Sequence, residues 1–240
     1  MKLYNSRHRV IEEFVSLEPE LVKMYSCGPT VYDYAHIGNI RAFIFADILR
    51  KSFEFSGYTV KQIMNITDFG HLRSDADDGE DKMSVGLKRE GLPRTLEGMR
   101  ALADKYTNLF LDDIEKVNIK PADFYPRAIE YIQDYIQMIK GLEKKGFTYR
   151  ISDGIYFDTA KDPNYGYMSL LKNSKDSESR IGINSEKKSP ADFALWKFSD
   201  ESVSVLGFQS PWGSGFPGWH IECSGMALRF LGEQIDIHTG

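Results

Sequence analysis

The chain has 240 residues, 42% of them hydrophobic, enough to bury a sizeable core as one large domain or as a domain with an insertion. Its 30 basic and 35 acidic residues leave a formal net charge of −5, which argues against a domain that grips nucleic acid by overall charge and leaves only a local patch for RNA. No apolar run reaches the roughly eighteen residues of a membrane span, and residues 1–9 lack the apolar stretch of a secretory signal, so no membrane association and a cytoplasmic location are expected.

The first 21 residues read as an entry segment covering a sheet edge. Val22, Met24 and the residues up to Cys27 suit a short strand, and Gly28-Pro29 marks a turn. Ile40, Phe43, Ile44, Asp47, Ile48, Phe53 and Phe55 then lie around a run in which apolar positions recur at three and four residues, until Ser56-Gly57 supplies a stop. Residues 58–66 are β-branched and apolar enough for a second strand, so the default for this unit is a parallel, right-handed crossover. Residues 67–83 carry an acidic cluster. An EF-hand fails there because Gly79 falls at the fifth position from Asp75 instead of the sixth, and a solvated loop is expected.

From 95 to 117, Leu96, Met99, Leu102, Ala103, Tyr106, Leu109, Phe110 and Ile114 keep helical spacing behind the cap residue Thr95. Pro121 and Pro126 break the chain. A further helix opens at Pro126-Arg127, with Ile129, Ile132, Ile136, Ile139 and Leu142 on one stripe and Gly146 as its end. Residues 147–158 read as a hairpin turning at Ser152-Asp153-Gly154. Residues 172–189 are poor in apolar side chains and are expected to form a mobile loop, where Lys172, Lys175, Arg180, Lys187 and Lys188 read as a solvated face before an RNA contact. The chain resumes near Phe193, crosses a Gly- and Trp-rich loop at 211–219, and continues as a helix over 221–230 and a strand over 234–238.

The organising stretch is 24–39, where a strand and a Gly-Pro turn lead into His36-Ile37-Gly38-Asn39 and the first helix. A loop that follows a strand and enters a helix N-terminus offers unpaired N–H groups and a positive dipole end to phosphate. Gly38 allows close backbone approach, and His36 and Asn39 add donors for a phosphoryl or ribose group. By itself such a four-residue run is more often a surface or capping feature. The two cysteines, Cys27 and Cys223, form no CxxC pair. They read as two separate buried thiols or as two ligands of one metal, and in a reducing compartment not as a disulfide.

Residues 27–41, from Cys27-Gly28-Pro29-Thr30 to Asn39-Ile40-Arg41, resemble the N-terminal signature of cysteinyl-tRNA synthetases, a class I family. Three further stretches match in order: Asn65-Ile66-Thr67-Asp68, residues 190–197 around Phe193 and Trp196, and residues 217–224 around Trp219 and Cys223. The resemblance spans the chain. It implies an α/β fold, the Rossmann-like parallel sheet of class I synthetases (a HIGH-motif nucleotide-binding fold) interrupted by a connective-peptide insertion. Residues 1–117 would be the first half of the catalytic domain, 118–192 the insertion, and 193–240 the truncated start of the second half.

The same resemblance implies ATP-dependent activation of L-cysteine, Mg²⁺ accompanying ATP, and transfer to the 3′ end of tRNA(Cys). It implies His36 and Asn39 as catalytic groups, His36, Gly38 and Asn39 as ATP contacts, and Gly28, Thr67, Trp219 and His238 around the amino acid. It also implies zinc as the means of rejecting serine: size discrimination gives only about 1–3 kcal/mol, whereas zinc favours the thiolate that cysteine can supply. The family's zinc ligands are two cysteines, matched by Cys27 and Cys223, and a His and a Glu in a Pro-His-His-x-x-Glu stretch beyond Gly240. Neither His220 nor His238 is taken in their place.

Two departures stand out. Many members carry Thr-Asp-x-Asp-Asp-Lys where this chain has the longer form beginning Thr67-Asp68-Phe69-Gly70-His71, and the Lys-Met-Ser-Lys-Ser loop is not met. Lys82-Met83-Ser84 has its letters but lies in the first half and is taken as coincidence. The rival expectations are a cysteine:aminosugar ligase of mycothiol biosynthesis, an incomplete fragment or paralogue that binds nucleotide without catalysis, and a HIGH-motif nucleotidyltransferase with incidental cysteines. Oligomeric state is not legible.

Overall fold

The computed structural model of the protein describes residues 1–5, 8–69, 82–166, 185–199 and 207–240. β1 (Lys2–Asn5) and β2 (Val10–Glu13) form an antiparallel hairpin that stands as its own two-stranded sheet. β3 (Leu21–Ser26), α1 (Ile37–Phe55) and β4 (Thr59–Met64) then make the expected strand, helix and strand, with β3 and β4 parallel from Leu21↔Thr59 to Ser26↔Met64. The entry segment does not run along the sheet edge. Met1, Leu3 and Phe14 pack on Val22, Met24, Ala46, Phe53 and Val60, the cluster between α1 and the sheet, with the Phe14 and Phe53 rings 4.6 Å apart.

α1 buries Ile40, Phe43, Ala46, Asp47, Arg50 and Phe53, whereas Ile48 and Phe55, expected on the apolar stripe, are exposed. The inward face is partly polar because its charges have partners. Arg50 donates to Gln62 Oε1 of β4 at 2.9 Å, to the Pro121 carbonyl at 2.7 Å and to Glu54 at 3.0 Å, and Asp47 accepts from the Lys120 amide at 2.9 Å. A charge persists in the interior only when it is so bonded. Through these groups α1 is pinned both to β4 and to the segment after residue 118.

α2 (Lys82–Glu90) was not legible in the sequence, since it is short, charged and carries Gly86. That glycine is demanded by packing, because a Cβ there would lie 2.8 Å from the Tyr32 carbonyl oxygen. α3 (Leu96–Lys116) matches expectation, including the Thr95 side chain accepting from the Gly98 amide at 3.1 Å.

Residues 122–128 run beside β4: the Met64 amide donates to the Phe124 carbonyl at 3.1 Å, Ile66 to Pro126 at 2.8 Å, and Ala128 to Ile66 at 2.9 Å. The stretch expected to open the insertion is therefore hydrogen-bonded to the parallel layer. The next helix begins as a 3₁₀ turn, Ala128–Tyr131, before α4 (Ile132–Lys144), and the Ile129 amide, one of the donors a helix start leaves unpaired, is taken up by Asp68 Oδ1 at 2.9 Å.

β5 (Thr148–Ile151) and β6 (Gly154–Phe157) form the expected hairpin, extended by β7 (Phe193–Phe198) and β8 (Gly215–Pro217) into an antiparallel sheet of order β5-β6-β7-β8. β7, which begins where the second half was expected to restart, thus pairs with β6 and not with the parallel sheet. Most of the expected loops at 67–83 and 172–189, with Lys172, Lys175 and Arg180, lie outside the described residues. Lys188 packs beside the antiparallel sheet, its Nζ 2.9 Å from Asp158 Oδ2, and Lys187 lies over the Tyr156 ring.

α5 (Trp219–Leu231) leads to β9 (Ile237–Thr239), which pairs in parallel with β3 on the side away from β4, giving the order β4-β3-β9. The strand starts later than residue 234 because Asp236 is used as a clamp, its carboxylate accepting from the Leu17 amide at 2.7 Å and the Lys23 amide at 2.8 Å. Among the described residues no helix is long and apolar enough to cross a membrane. Arg50→Met is expected to lower the unfolding free energy by about 3–5 kcal/mol by stranding Gln62 and the Pro121 carbonyl, as measured by urea denaturation. A loss under about 1 kcal/mol would show that α1 is held by its apolar face alone.

Candidate functional site

Parallel strands deliver their C-terminal ends to one side of the sheet, and the loops after β3 and β4 cross there. The Gly28 amide donates to Asn65 Oδ1 at 3.0 Å, and Asn65 Nδ2 donates to Thr67 Oγ1 at 3.1 Å. Between the two loops, the Thr67 amide donates to the Pro29 carbonyl at 3.0 Å and the Val31 amide to the Thr67 carbonyl at 3.0 Å. Gly28 is obligatory in this crossing, since a Cβ would sit 1.7 Å from the Asn65 carbonyl oxygen. Thr67 is buried, with its Oγ1 held as an acceptor and its own proton free to donate.

Cys27 follows β3, its amide bound to the Thr239 carbonyl of β9 at 2.8 Å, and Cys223 reaches it from α5. The two sulfurs, 196 positions apart in sequence, lie 3.5 Å from each other, and His238 Nε2 is 3.3 Å from Cys27 Sγ. The pair shares a proton unequally. The Cys223 S–H and His238 hold the Cys27 thiol well below its ordinary range, while the neighbouring Cys27 thiolate and burial push Cys223 up. His238 is raised in turn by its bond to Cys27. Tyr25, wholly buried, sets its hydroxyl against Cys223 without a hydrogen bond of normal geometry.

The sulfur separation bears on zinc directly. Two thiolates on a tetrahedral zinc, each at about 2.3 Å, stand about 3.8 Å apart, close to the spacing found here. Cys27 and Cys223 therefore fit as two ligands of one ion. Among the described residues no group of three or more His, Cys, Asp or Glu side chains is arranged to hold a metal, so a complete ligand set is not present among them.

The start of α1 departs from the expectation of open backbone donors. His36 Nδ1 accepts from the Gly38 amide at 3.1 Å and the Asn39 amide at 3.4 Å, while Asn39 Oδ1 accepts from the His36 amide at 3.1 Å. This is a capping box built from His and Asn. A ring nitrogen that accepts these bonds carries no proton, so the neutral ring bears its hydrogen on Nε2. Nε2–H and the Asn39 side-chain NH₂ are the donors left for a ligand.

A cavity of about 430 Å³ joins Cys27, Gly38, Arg41, His238 and Thr239. His36 and Asn39 line a different cavity of about 240 Å³ with Thr30, Tyr32, Lys82 and Tyr106. The structure thus gathers Cys27, Gly28, Thr67, Cys223 and His238 around the strand ends, links Gly38 to them, and turns His36 and Asn39 to the neighbouring space. Trp219 opens α5, and its side chain lies outside what the structure describes. Asn65 was missed as a site residue although its motif was noted. Its signal was an Asn placed just after a strand, facing a Gly that follows another. Asp68, beside Thr67, is pushed up to about 6 by burial.

The family described as tRNA synthetases class I (C) catalytic domain matches residues 13–240. The chain is 44% identical over 242 residues to cysteine–tRNA ligase 1 of Burkholderia lata, covering 100% of this chain and 50% of that protein. It is 43% identical over 246 residues to the cysteine–tRNA ligase of Treponema denticola, covering 100% of this chain and 48% of that one. The chain spans about half the length of the curated relatives it matches. Among solved structures, methionyl-tRNA synthetase of Mycobacterium tuberculosis in complex with methionyl-adenylate superposes with a TM-score of 0.59 at 12% identity, over 87% of this chain and 46% of that one. At that identity the likeness carries the fold alone, an α/β class I catalytic domain.

On the metal-free chain, iodoacetamide is expected to alkylate Cys27 with a midpoint well below the roughly 8.5 of a free thiol. Cys223→Ala removes the S–H donor and is expected to raise that midpoint. An unmoved midpoint would leave His238 as the sole support of the thiolate.

Proposed function

The chain belongs to the class I (C) tRNA synthetase catalytic-domain family, and on that premise we propose that it forms the catalytic portion of a cysteine–tRNA ligase. The proposed reaction joins the carboxylate of L-cysteine to the α-phosphorus of ATP, releasing pyrophosphate, and then passes the cysteinyl group to the 3′ end of tRNA(Cys). The observation that carries this proposal is the 3.5 Å approach of Cys27 and Cys223 at the ends of the parallel strands, a spacing suited to two ligands of one zinc ion. Relatives named cysteine–tRNA ligases, matched over the whole chain, support the same proposal.

Serine differs from cysteine by one atom, and shape discrimination of that size is worth about 10- to 200-fold. Zinc, when bound, supplies a preference for thiolate over hydroxyl, with Cys27 and Cys223 as the ligands this chain contributes. The remaining residues act by position. Gly28 lets the chain come close at the strand end, and Thr67 keeps a hydroxyl proton for a polar group of the amino acid. Trp219 and His238 complete the proposed surroundings of the substrate.

His36 Nε2–H and the Asn39 amide are the donors for phosphate oxygens as charge moves from the α-phosphorus to the leaving group, with Mg²⁺ travelling on ATP. No covalent enzyme intermediate is needed, so the chain's contribution is orientation and electrostatic stabilisation. Free thiols at Cys27 and Cys223 suit a reducing, cytoplasmic compartment.

Cysteine-dependent ATP–pyrophosphate exchange is the test, run against serine on this chain and on a longer product of the same gene. Exchange with cysteine alone, reduced at least about 100-fold by Cys223→Ser, is expected from the longer product. No exchange from the longer product overturns the ligase assignment.

A further inference from the structure

Tyr25 of β3 and Tyr135 of α4 are both wholly buried near Cys223, and their hydroxyls differ in what they do. Tyr135 donates to the Ala128 carbonyl at 3.0 Å. Tyr25 has no hydrogen-bond partner among the described residues, although its oxygen is sealed from solvent. A buried donor left unpaired costs about 1–3 kcal/mol, and a phenylalanine there would fill the same space without that cost. The hydroxyl calls for an acceptor that the thiol form of the site does not supply.

Its surroundings name that acceptor. Tyr25 is level with His238 in the β3-β9 register, their rings 5.3 Å apart, and its hydroxyl is set against the Cys223 sulfur. That sulfur lies 3.5 Å from Cys27 Sγ and 4.0 Å from Asn65 Oδ1. As a thiol it is a weak acceptor and directs its own proton to one of these two. As a metal ligand it is a thiolate, with no proton and with lone pairs to be satisfied. Cys27, then a thiolate as well, has no proton to give, and Asn65 Oδ1 is an acceptor already bonded to the Gly28 amide. Tyr25 has one, and burial keeps it on the phenol.

We infer that Tyr25 is a positioning residue for the metal-bound site, its O–H donating to the Cys223 sulfur once that sulfur is a zinc ligand. The inference rests on the proposed role of Cys27 and Cys223 as zinc ligands. The bond fixes the direction of the sulfur and draws off part of its charge, which is how groups behind a ligand tune a metal. A sulfur that gives up less charge leaves more of the metal's affinity for the thiolate of substrate cysteine. Tyr25 touches neither metal nor substrate and acts through Cys223.

The test compares wild type with Tyr25→Phe in the longer product of the same gene, loaded with zinc or with cobalt(II) as a spectroscopic substitute. Tyr25→Phe is expected to weaken zinc binding about 10- to 100-fold in competition with a chromophoric chelator. It is also expected to move the thiolate-to-cobalt charge-transfer band to lower energy, since a sulfur without its hydrogen bond yields an electron more readily. The metal-free Tyr25→Phe protein is expected to unfold at the wild-type temperature or above it, because the substitution removes a donor that had no partner. Equal zinc affinity with an unmoved band overturns the inference. Weaker binding with an unmoved band and a lowered metal-free midpoint also overturns it, by making Tyr25 a packing residue. Wild-type protein that binds neither ion removes the zinc reading of Cys27 and Cys223 and this inference together, whereas equal binding by both proteins removes this inference alone.

Discussion

The site depends first on how closely the chain at Gly28 approaches Asn65. With a hypothetical Cβ only 1.7 Å from the Asn65 carbonyl oxygen, no other residue fits at position 28 without moving one of the two loops. That approach lets one side chain, Asn65, satisfy the Gly28 amide and reach Thr67 at the same time. Buried polar groups must be paired, and here the pairing joins the ends of adjacent parallel strands. Cys27, held at its other side by β9, is consequently fixed relative to Thr67. Positional precision at the thiol thus comes from backbone contact and not from the thiol's own bonds.

Cys223 arrives by a longer route, which explains why the antiparallel sheet matters to a site it does not line. The Gly218 amide donates to the Leu195 carbonyl at 2.9 Å, and a Cβ at 218 would lie 1.9 Å from the Ala194 carbonyl oxygen. β7 therefore anchors the residue just before α5. Further along, Gly225 lets α5 settle on the Tyr135 ring of α4, where a Cβ would come within 2.5 Å. Two glycines and an aromatic ring determine where the helix lies, and the helix determines where the second sulfur lies. Filling either close contact with a side chain would push α5 away and carry the second sulfur with it.

The parts of this structure legible in the sequence are those set by local pattern. The β3-α1-β4 crossover, the Thr95-capped α3 and the hairpin at 148–157 follow from periodicity, caps and turn residues that lie within one element. What was not legible depends on partners distant in sequence. β7 has the same alternation whether it pairs with β6 or with the parallel sheet, so only tertiary pairing reveals its sheet. The polar face of α1 was read as an apolar stripe because Asp47 and Arg50 owe their burial to Lys120, Pro121 and Gln62. At the site, the residue types were legible and their duties were not: His36 and Asn39 bond each other's backbone as well as presenting donors, and Asn65 gains meaning only from the Gly28 amide that stands opposite.

The capping box at His36 changes what kind of phosphate contact the α1 N-terminus can make. A helix start usually offers its free N–H groups to an anion, but the Gly38 and Asn39 amides are already bonded to the His36 ring. The dipole still favours negative charge nearby, since it arises from the aligned peptides and not from two free donors. Hydrogen bonds to the anion must then come from side chains. His36 and Asn39 are the α1 residues whose side chains line the adjoining cavity. The chain's net charge of −5 does not oppose such a local contact, because exposed charges act on one another only within about 8–10 Å.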